Sequence, residues 1–155
     1  MNSSTYDDKF YKDISNPSYN SAKIYLNYLW QYLQPLSVLD VGCGKGAWLK
    51  ACHECGSKNL IGFDGGWINQ SEMLDKKIEF KSVDLNSKFT IDEKVDLTIS
   101  LEVAEHLKYE SSEQFIECLT KTSETILFSA AYTNQGGTDH INENKHEPLI
   151  RLIFL

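Results

Sequence analysis

A glycine-rich segment near residue 40 constrains the fold of this chain more than any other feature. The segment reads Asp40-Val-Gly42-Cys-Gly44-Lys-Gly46, and it lies between the apolar pair Val38 and Leu39 and a helix-compatible stretch at residues 47–52. In α/β proteins, a strand that leads into a glycine-rich turn and then a helix lets a ligand approach bare backbone. Gly42 and Gly44 carry no Cβ atoms that would block this approach. The segment therefore predicts a ligand-binding turn at the carboxyl end of a strand.

The apolar pattern predicts five strands that alternate with helical segments. The expected strands span residues 37–41, 60–64, 78–84, 95–101 and 125–131. Strands that alternate with helices are typical of a parallel sheet with helices on both faces. We therefore expect an α/β fold with a Rossmann-like, doubly wound and mostly parallel sheet.

Two helices can be placed in more detail. Residues 19–33 repeat apolar side chains at helical spacing, and Pro35 ends the helix. Its expected inward face is formed by Ile24, Tyr25, Tyr28, Leu29, Tyr32 and Leu33. The preceding Asn16-Pro17-Ser18 is predicted to be a turn or a helix start. Later in the chain, Ser111 and Gln114 have the spacing of a capping box, and the inward residues of the helix they open are expected to be Phe115, Ile116, Leu119 and Thr120.

Acidic residues follow each of the first four predicted strands: Asp40, Asp64, Asp84 and Glu102. In doubly wound sheets the ligand lies beyond these strand ends. A carboxylate at Asp40 would repel a diphosphate but attract an ammonium or sulfonium cation, which indicates S-adenosylmethionine as the cofactor. Asp40 and the glycine turn would then hold its methionine end, while Asp64 would accept hydrogen bonds from the ribose hydroxyls. Asp84 would accept a hydrogen bond from the adenine amino group. Glu102 and Val103 would begin the segment that passes beneath the reacting methyl.

A nicotinamide cofactor is the competing interpretation. Gly42, Gly44 and Ala47 also satisfy the dinucleotide fingerprint in its G-x-G-x-x-A form, and that motif alone is weak. The acid at Asp40, the additional Gly46 and the acid at Asp84 favour the sulfonium cofactor.

Length, net charge and the distribution of apolar residues disfavour some classes of protein. The chain has 155 residues and a net charge of −7, which indicates one domain and disfavours a nucleic-acid partner because phosphate binding needs clustered cations. Its start carries no basic or apolar leader, and its apolar stretches are far shorter than the ~20 residues that span a bilayer. We therefore expect a cytoplasmic protein with no membrane contact.

The four cysteines are Cys43, Cys52, Cys55 and Cys118. Cys52 and Cys55 have C-x-x-C spacing, but no second pair of ligands follows at zinc-finger spacing. We interpret them as reduced structural thiols, which fits the absence of an export signal.

The chain resembles the class I S-adenosylmethionine-dependent methyltransferases over nearly its whole length. Residues 38–46 are similar to their first motif, Gly62-Phe-Asp64 to the acidic end of their second strand, and Val83-Asp84-Leu85 to the third. The resemblance adds Leu85 to the expected cofactor-binding residues. Residues 100–107 are similar to the small-molecule branch that includes quinone-biosynthesis O-methyltransferases, and residues 128–143 resemble a bacterial and phage-type subgroup with an unassigned acceptor. The resemblance implies methyl transfer to a small-molecule or saccharide-type acceptor.

The resemblance also implies a domain plan. Residues 1–35 would form a helical lid or cap, residues 36–131 the cofactor-binding core, and residues 132–155 an acceptor-side loop and the start of a helix. Family members continue into an antiparallel strand pair, so this sequence is expected to be C-terminally shortened. A homo-oligomer could cover the sheet edge that shortening would expose. The alternative function is a non-catalytic homologue that binds the cofactor or assembles with a partner.

Two histidines are candidates for the base that removes a proton from the acceptor. His106 follows the fourth strand, and His140 lies in a glycine loop past the fifth, where Asn142 and Glu143 could orient its ring. Glu102, Glu105 and His106 could converge on a metal if they share a helix, but our expectation is that no metal is bound. The aromatic residues Tyr6, Phe10 and Tyr11 could form a lid over the cofactor.

Overall fold

The computed structural model describes residues 8–143, with side chains from residue 17 onward. Three helices and five strands follow in the order α1 (Asp8–Leu29), β1 (Ser37–Val41), α2 (Ala47–Glu54), β2 (Asn59–Asp64), β3 (Ile78–Ser82), β4 (Leu97–Leu101), α3 (Ser112–Thr122) and β5 (Ile126–Ser129). Short 3-10 turns at Gln70–Glu72, Ala104–His106 and Tyr109–Ser111 connect them. No helix in the described part of the chain is both long and apolar enough to cross a membrane.

The strands form one sheet in the order β3-β2-β1-β4-β5, and all four pairings are parallel. The strand order reverses between β1 and β4, which places a crevice at their carboxyl ends. The predicted α/β fold with a doubly wound parallel sheet is therefore confirmed. Strand β5 lies at one edge of the described sheet.

Alternate residues of the strands face two separate apolar layers. Val38 packs with α1 and α2 on one face, where Leu26 and Leu49 are fully buried. Leu39 packs on the other face against α3, where Phe115 is fully buried. Both sheet faces are thus covered, as a parallel sheet requires, and the carboxyl edge is left to hold the site.

The first helix differs from the prediction in its start, in its buried face and in its end, which comes at Leu29 and not at residue 33. It runs from Asp8 to Leu29 with Pro17 inside it, so the expected turn at residues 16–18 is wrong. The buried residues are Ala22 and Leu26, whereas Ile24 is 76% exposed. The small Ala22 permits close approach to α2, and the tyrosines that we expected inside lie outward. The aromatic lid residues Tyr6, Phe10 and Tyr11 lie outside the described residues or side chains.

The capping box at Ser111 does not form. The Ser111 hydroxyl donates to the backbone carbonyl of Asn86 at 2.9 Å, and the Gln114 side chain donates to that of Phe89 at 3.2 Å. Both side chains thus tie α3 to the segment between β3 and β4 instead of closing on their own helix. On the inward face, Cys118 and Thr122 are buried, while the predicted Thr120 is exposed.

Candidate active site

A cavity of about 830 Å³ lies at the carboxyl ends of the strands. It is lined by the glycine turn, by strand-end acids, by α1 residues that include Ser18 and Tyr25, and by His106. One continuous space therefore joins the predicted cofactor residues to one of the two predicted base candidates. Of the predicted cofactor-binding residues, those on its wall are Asp40, Gly42, Gly44, Asp64, Asp84, Leu85, Glu102 and Val103.

The glycine turn has a backbone that side chains would disrupt. Gly42, Gly44 and Gly46 have φ values of 87°, 53° and 80°. A Cβ on Gly42 would lie 2.2 Å from the Cγ2 of Val103. The Gly42 backbone therefore packs directly against the Val103 side chain, which explains why glycine is required there. Gly46, which is absent from the cavity wall, begins α2 in a left-handed conformation.

Asp64 organises this turn from the end of β2. One carboxylate oxygen accepts a hydrogen bond from the Gly44 N–H at 2.7 Å, and the other accepts one from the Gly65 N–H at 2.6 Å. Each carboxylate oxygen has a second lone pair, so these bonds leave acceptor capacity on a residue that lines the cavity. Burial raises the pKa of Asp64, against the lowering effect of the two backbone donors.

Asp40 is nearly fully buried at the end of β1. Burial, with a smaller contribution from the negative charge of Asp64, raises the pKa of the Asp40 carboxyl to about 8. A nearby cation favours the ionised form of a carboxyl, so a positively charged ligand would lower the pKa of Asp40 and promote its ionisation. The side chain is therefore suited to respond to a positively charged ligand.

Asp84 lies in the turn after β3, because that strand ends at Ser82 and is shorter than predicted. Its carboxylate accepts hydrogen bonds from the Ser87 hydroxyl at 2.6 Å and the Asn86 N–H at 3.0 Å. These bonds lower the pKa of Asp84. The side chain thus stabilises its own turn while lining the cavity beside the buried Leu85.

Glu102 and Val103 shape the cavity floor after β4. Glu102 has a φ of 56°, an uncommon value for a residue other than glycine. The Ser129 hydroxyl donates to its carboxylate at 2.7 Å, and its own N–H donates to the Ser129 carbonyl at 3.0 Å. Strand β5 therefore holds the strained residue in place.

His106 and His140 come together although 33 residues separate them. Their ring centres are 5.0 Å apart and their planes meet at 81°. The His106 Nδ1 donates to the Asp139 carbonyl at 3.2 Å, and the His140 Nδ1 lies 3.0 Å from a carboxylate oxygen of Glu143. Burial lowers the pKa of His106, so its neutral form prevails near pH 7.

Glu105 occupies a more central position in the site than the sequence predicted. It is fully buried beside His106, and Glu105, His106 and His140 each bring one potential metal ligand within 4.8 Å of the others. The sequence placed Glu105 and His106 in a possible metal set with Glu102. The structure puts His140 in the third position, which only long-range packing determines.

Aromatic side chains on the cavity wall were also missed. Tyr25 and Trp48 meet edge to face with ring centres 6.1 Å apart, and Trp67 lines the same space. Tyr25 was assigned to a packed helix face, and the signal against that assignment is Ala22, whose small side chain suits the close contact between α1 and α2.

The four cysteines are free thiols: Cys43, Cys52, Cys55 and Cys118. Cys52 is fully buried on α2.

Comparison with known proteins gives a family and a fold. A family model described as "Methyltransferase domain" matches residues 19–135, more than half of the chain. The mitochondrial ubiquinone biosynthesis O-methyltransferase of Dictyostelium discoideum is 29% identical over 117 residues. That alignment covers 65% of this chain and 36% of the relative, so the chain spans about a third of the length of the curated relative it matches.

Solved structures share the fold at low identity. Magnesium protoporphyrin IX methyltransferase from Synechocystis PCC 6803, determined with bound SAH, has a TM-score of 0.64 and 19% identity, covering 88% of this chain and 69% of that one. A small RNA methyltransferase has a TM-score of 0.66 and 17% identity, covering 86% of this chain and 20% of that one. At these identities the likeness shows the fold alone.

Proposed function

The chain belongs to the methyltransferase-domain family, and on that premise we propose that it binds S-adenosylmethionine and transfers the methyl group to a small-molecule or saccharide-type acceptor. The observation that carries the proposal is the single cavity that joins the glycine turn and strand-end acids to His106. A binding site for a cationic nucleoside and a candidate base open into the same space. Those are the two components that methyl transfer to a hydroxyl requires.

The residues on the cavity wall fit this cofactor. Gly42 and Gly44 lie on the cavity wall, and the missing Cβ of Gly42 lets Val103 pack against the turn. Asp40 can ionise against a cation, and Asp64 keeps acceptor capacity for ribose hydroxyls. The proposed binding set is Asp40, Gly42, Gly44, Gly46, Asp64, Asp84, Leu85, Glu102 and Val103. Gly46 would contribute by shaping the turn, because it is absent from the cavity wall.

The bound cofactor supplies an electrophilic methyl group on a sulfonium, so the donor arrives activated. The protein has to align the acceptor with that methyl, and alignment can lower the barrier by about 7–11 kcal/mol. An acceptor hydroxyl must also lose a proton, for which a positioned base adds roughly 10²–10⁴-fold.

The two histidines are the proposed bases. A carbonyl oxygen can only accept, so His106 donates from Nδ1 to Asp139 and leaves the lone pair on Nε2. His140 is oriented in the same way by Glu143. His106 lines the cavity and would take the proton, while the adjacent His140 ring would share or position that charge.

Calorimetry and activity assays test the proposal in sequence. Titration with S-adenosylhomocysteine should show one site, whereas NADH should not bind. Purified protein is then supplied with labelled S-adenosylmethionine and a panel of phenols, saccharides and a short RNA, and the methylated product is measured. Turnover only on the RNA would contradict the small-molecule acceptor, and cofactor binding without turnover on any member would favour the non-catalytic alternative.

A substitution of His140 tests its proposed supporting role in proton removal. His140→Ala should lower the rate at least tenfold while cofactor affinity stays within about twofold, because His140 lies on the acceptor side. His53→Ala is the matched control, since His53 also pairs with a carboxylate, that of Asp75, but on α2 away from the cavity. Equal losses of rate and cofactor affinity in His140→Ala would instead give His140 a structural role.

A further inference from the structure

Glu105, His106 and His140, which we call the Glu-His-His cluster, hold potential ligand atoms within 4.8 Å of one another. The three residues come from two segments of chain, the 3-10 turn at Ala104–His106 and the loop after β5. Two imidazoles and one carboxylate are a donor set that suits divalent transition metals.

The buried carboxylate of Glu105 is the strongest indication that this cluster binds a cation. Its exposed fraction is 0%, and neither oxygen has a hydrogen-bond partner among the described residues. A buried carboxylate without a donor is costly unless a cation pairs with it.

Both imidazoles are oriented as metal-binding histidines usually are. The His106 Nδ1 donates to the Asp139 carbonyl, and the His140 Nδ1 lies within hydrogen-bonding distance of the Glu143 carboxylate. Each Nδ1–H is thereby engaged, and each Nε2 retains a lone pair. A hydrogen bond from the second ring nitrogen to a carbonyl or carboxylate typically fixes the orientation and tautomer of a ligating histidine.

Backbone contacts hold the two segments in register. The N–H groups of Ile141 and Asn142 donate to the Glu105 carbonyl at 2.9 Å and 3.1 Å. Gly137 packs so closely on His140 that an added Cβ would lie 2.4 Å from its Nε2. The position of His140 over Glu105 is thus built into the loop.

We propose that the Glu-His-His cluster binds one divalent transition-metal ion, of the type of Zn²⁺, Mn²⁺ or Co²⁺. Metal–nitrogen and metal–oxygen bonds of about 2.0–2.2 Å place ligand atoms roughly 3–4 Å apart, so the observed spacing needs only a small contraction. Three protein ligands leave coordination positions open for an oxygen atom of a ligand in the cavity that His106 lines. An Nε2 atom that binds a metal cannot also take a proton, so a bound metal would replace the role of the two histidines as bases. The site does not depend on methyl transfer, and metal binding tests it directly.

Cobalt binding is the most direct test. Untagged protein is treated with chelator, desalted and titrated with Co²⁺ while visible absorption and calorimetry are recorded. We expect one equivalent to bind, with d–d bands that Zn²⁺ displaces. Glu105→Gln and His140→Asn should each weaken binding by about 100-fold or more, since even second-shell changes cost 10–100-fold. His53→Asn, the control with a comparable histidine–carboxylate pair elsewhere, should bind as the unaltered protein does.

Thermal unfolding gives an independent readout. Without metal, Glu105→Gln should not lower Tm, because the Glu105 carboxyl has no hydrogen-bond partner to lose among the described residues. With metal at about 100 times the Kd of the unaltered protein, that protein should gain roughly 5–10 °C, and Glu105→Gln should gain no more than about 1–2 °C.

The proposal is overturned if the unaltered protein binds no equivalent of Co²⁺, or if Glu105→Gln and His140→Asn both retain its affinity. It is also overturned if His53→Asn abolishes binding, which would move the site to α2. S-adenosylhomocysteine titrated into the same samples shows whether the cofactor site is intact, so loss of metal binding and loss of cofactor binding can be told apart.

Discussion

Two turns border the cavity, and each is organised by a carboxylate that gathers backbone N–H groups. On the side that we propose for the cofactor, called the cofactor side below, Asp64 accepts hydrogen bonds from the N–H groups of Gly44 and Gly65. On the side that we propose for the acceptor, called the acceptor side below, Glu143 accepts hydrogen bonds from those of Asn134 and Gly136, both at 2.8 Å. The same local device therefore supports both halves of the proposed site.

The two carboxylates differ in their surroundings. Asp64 is buried, and that burial raises its pKa. Glu143 is only partly buried, and its contact with His140, followed by the two backbone donors, lowers its pKa. The cofactor-side turn is thus fixed by packing, whereas the acceptor-side loop depends on a charge that interacts with a histidine.

The largest expected effect tests the packing of the cofactor-side turn. Gly42→Ala should destabilise the protein by about 2–5 kcal/mol, because the new methyl overlaps Val103 and φ is positive. Chemical denaturation measures the change. Gly136→Ala is the control, since Gly136 has a φ of +68° with nothing within 4 Å of an added Cβ, and it should cost only about 1–2 kcal/mol.

A double variant separates overlap from backbone strain. Val103→Ala removes the overlapping atoms, so Gly42→Ala should cost less in that background than in the unaltered protein. If Gly42→Ala costs no more than Gly136→Ala, the close contact between the turn and the segment after β4 is not a constraint.

The next largest expected effect is the release of a proton from Asp40 when the cofactor binds. With a pKa of about 8, Asp40 is mostly protonated at pH 7, and a bound cation should release about 0.9 proton per site. Cofactor affinity should then rise by up to about tenfold per pH unit between pH 6 and 8. Calorimetry in buffers of different ionisation enthalpy measures the release, and Asp40→Asn should abolish it. Binding that releases no proton in the unaltered protein would show that Asp40 does not face the cationic group.

The raised pKa of Asp40 also makes the stability of the ligand-free protein depend on pH. The folded-state pKa of Asp40 lies above its usual value of 3.8. Its burial therefore costs nothing below about pH 3.8, and the penalty grows as pH rises toward 8. Glu143 has the opposite sign: its lowered pKa contributes stability near neutral pH, and that contribution is lost as pH falls through the folded-state value.

The strands and the glycine turn could be predicted because local sequence determines them. Short apolar runs bounded by turn residues gave all five strands within two residues at each end. The face of α1 could not be predicted in the same way. Ala22 packs while larger aromatics such as Tyr28, 62% exposed, lie outward, and hydrophobicity alone assigns the larger residues to the core.

The acceptor side could be predicted only in part, because distant segments build it. His106 and His140 were named from their positions after strands, and Glu143 was named as an orienting neighbour of His140. The contact between the histidines, and the burial of Glu105 beneath them, depend on a loop that bonds back to the Glu105 carbonyl. The capping box at Ser111 failed for the same reason, since Asn86 competes for that hydroxyl.

A third prediction tests whether the two carboxylates serve separate halves. Asp64→Ala should weaken cofactor binding at least tenfold, because it frees the turn and removes the proposed ribose acceptor. Glu143→Ala should leave cofactor affinity within about twofold while methyl transfer falls, because only the acceptor-side loop and His140 are released. Calorimetry and turnover on the two variants provide the comparison, and a tenfold loss of cofactor affinity in Glu143→Ala would show that the two turns act as one unit.

The smallest expected change in stability tests how the acceptor-side loop holds His140. Gly137→Ala places a methyl 2.4 Å from the ring, and the ring can move aside, so the free energy of unfolding should change by less than about 1 kcal/mol. The displaced ring should nevertheless lower Co²⁺ affinity and turnover by about tenfold each, because ligation and proton transfer both tolerate little misplacement. Gly136→Ala, one residue away and free of contacts at its added Cβ, should leave both values within about twofold. If Gly137→Ala and Gly136→Ala behave alike, the placement of His140 does not depend on this glycine, and the loop tolerates more freedom than its backbone contacts imply.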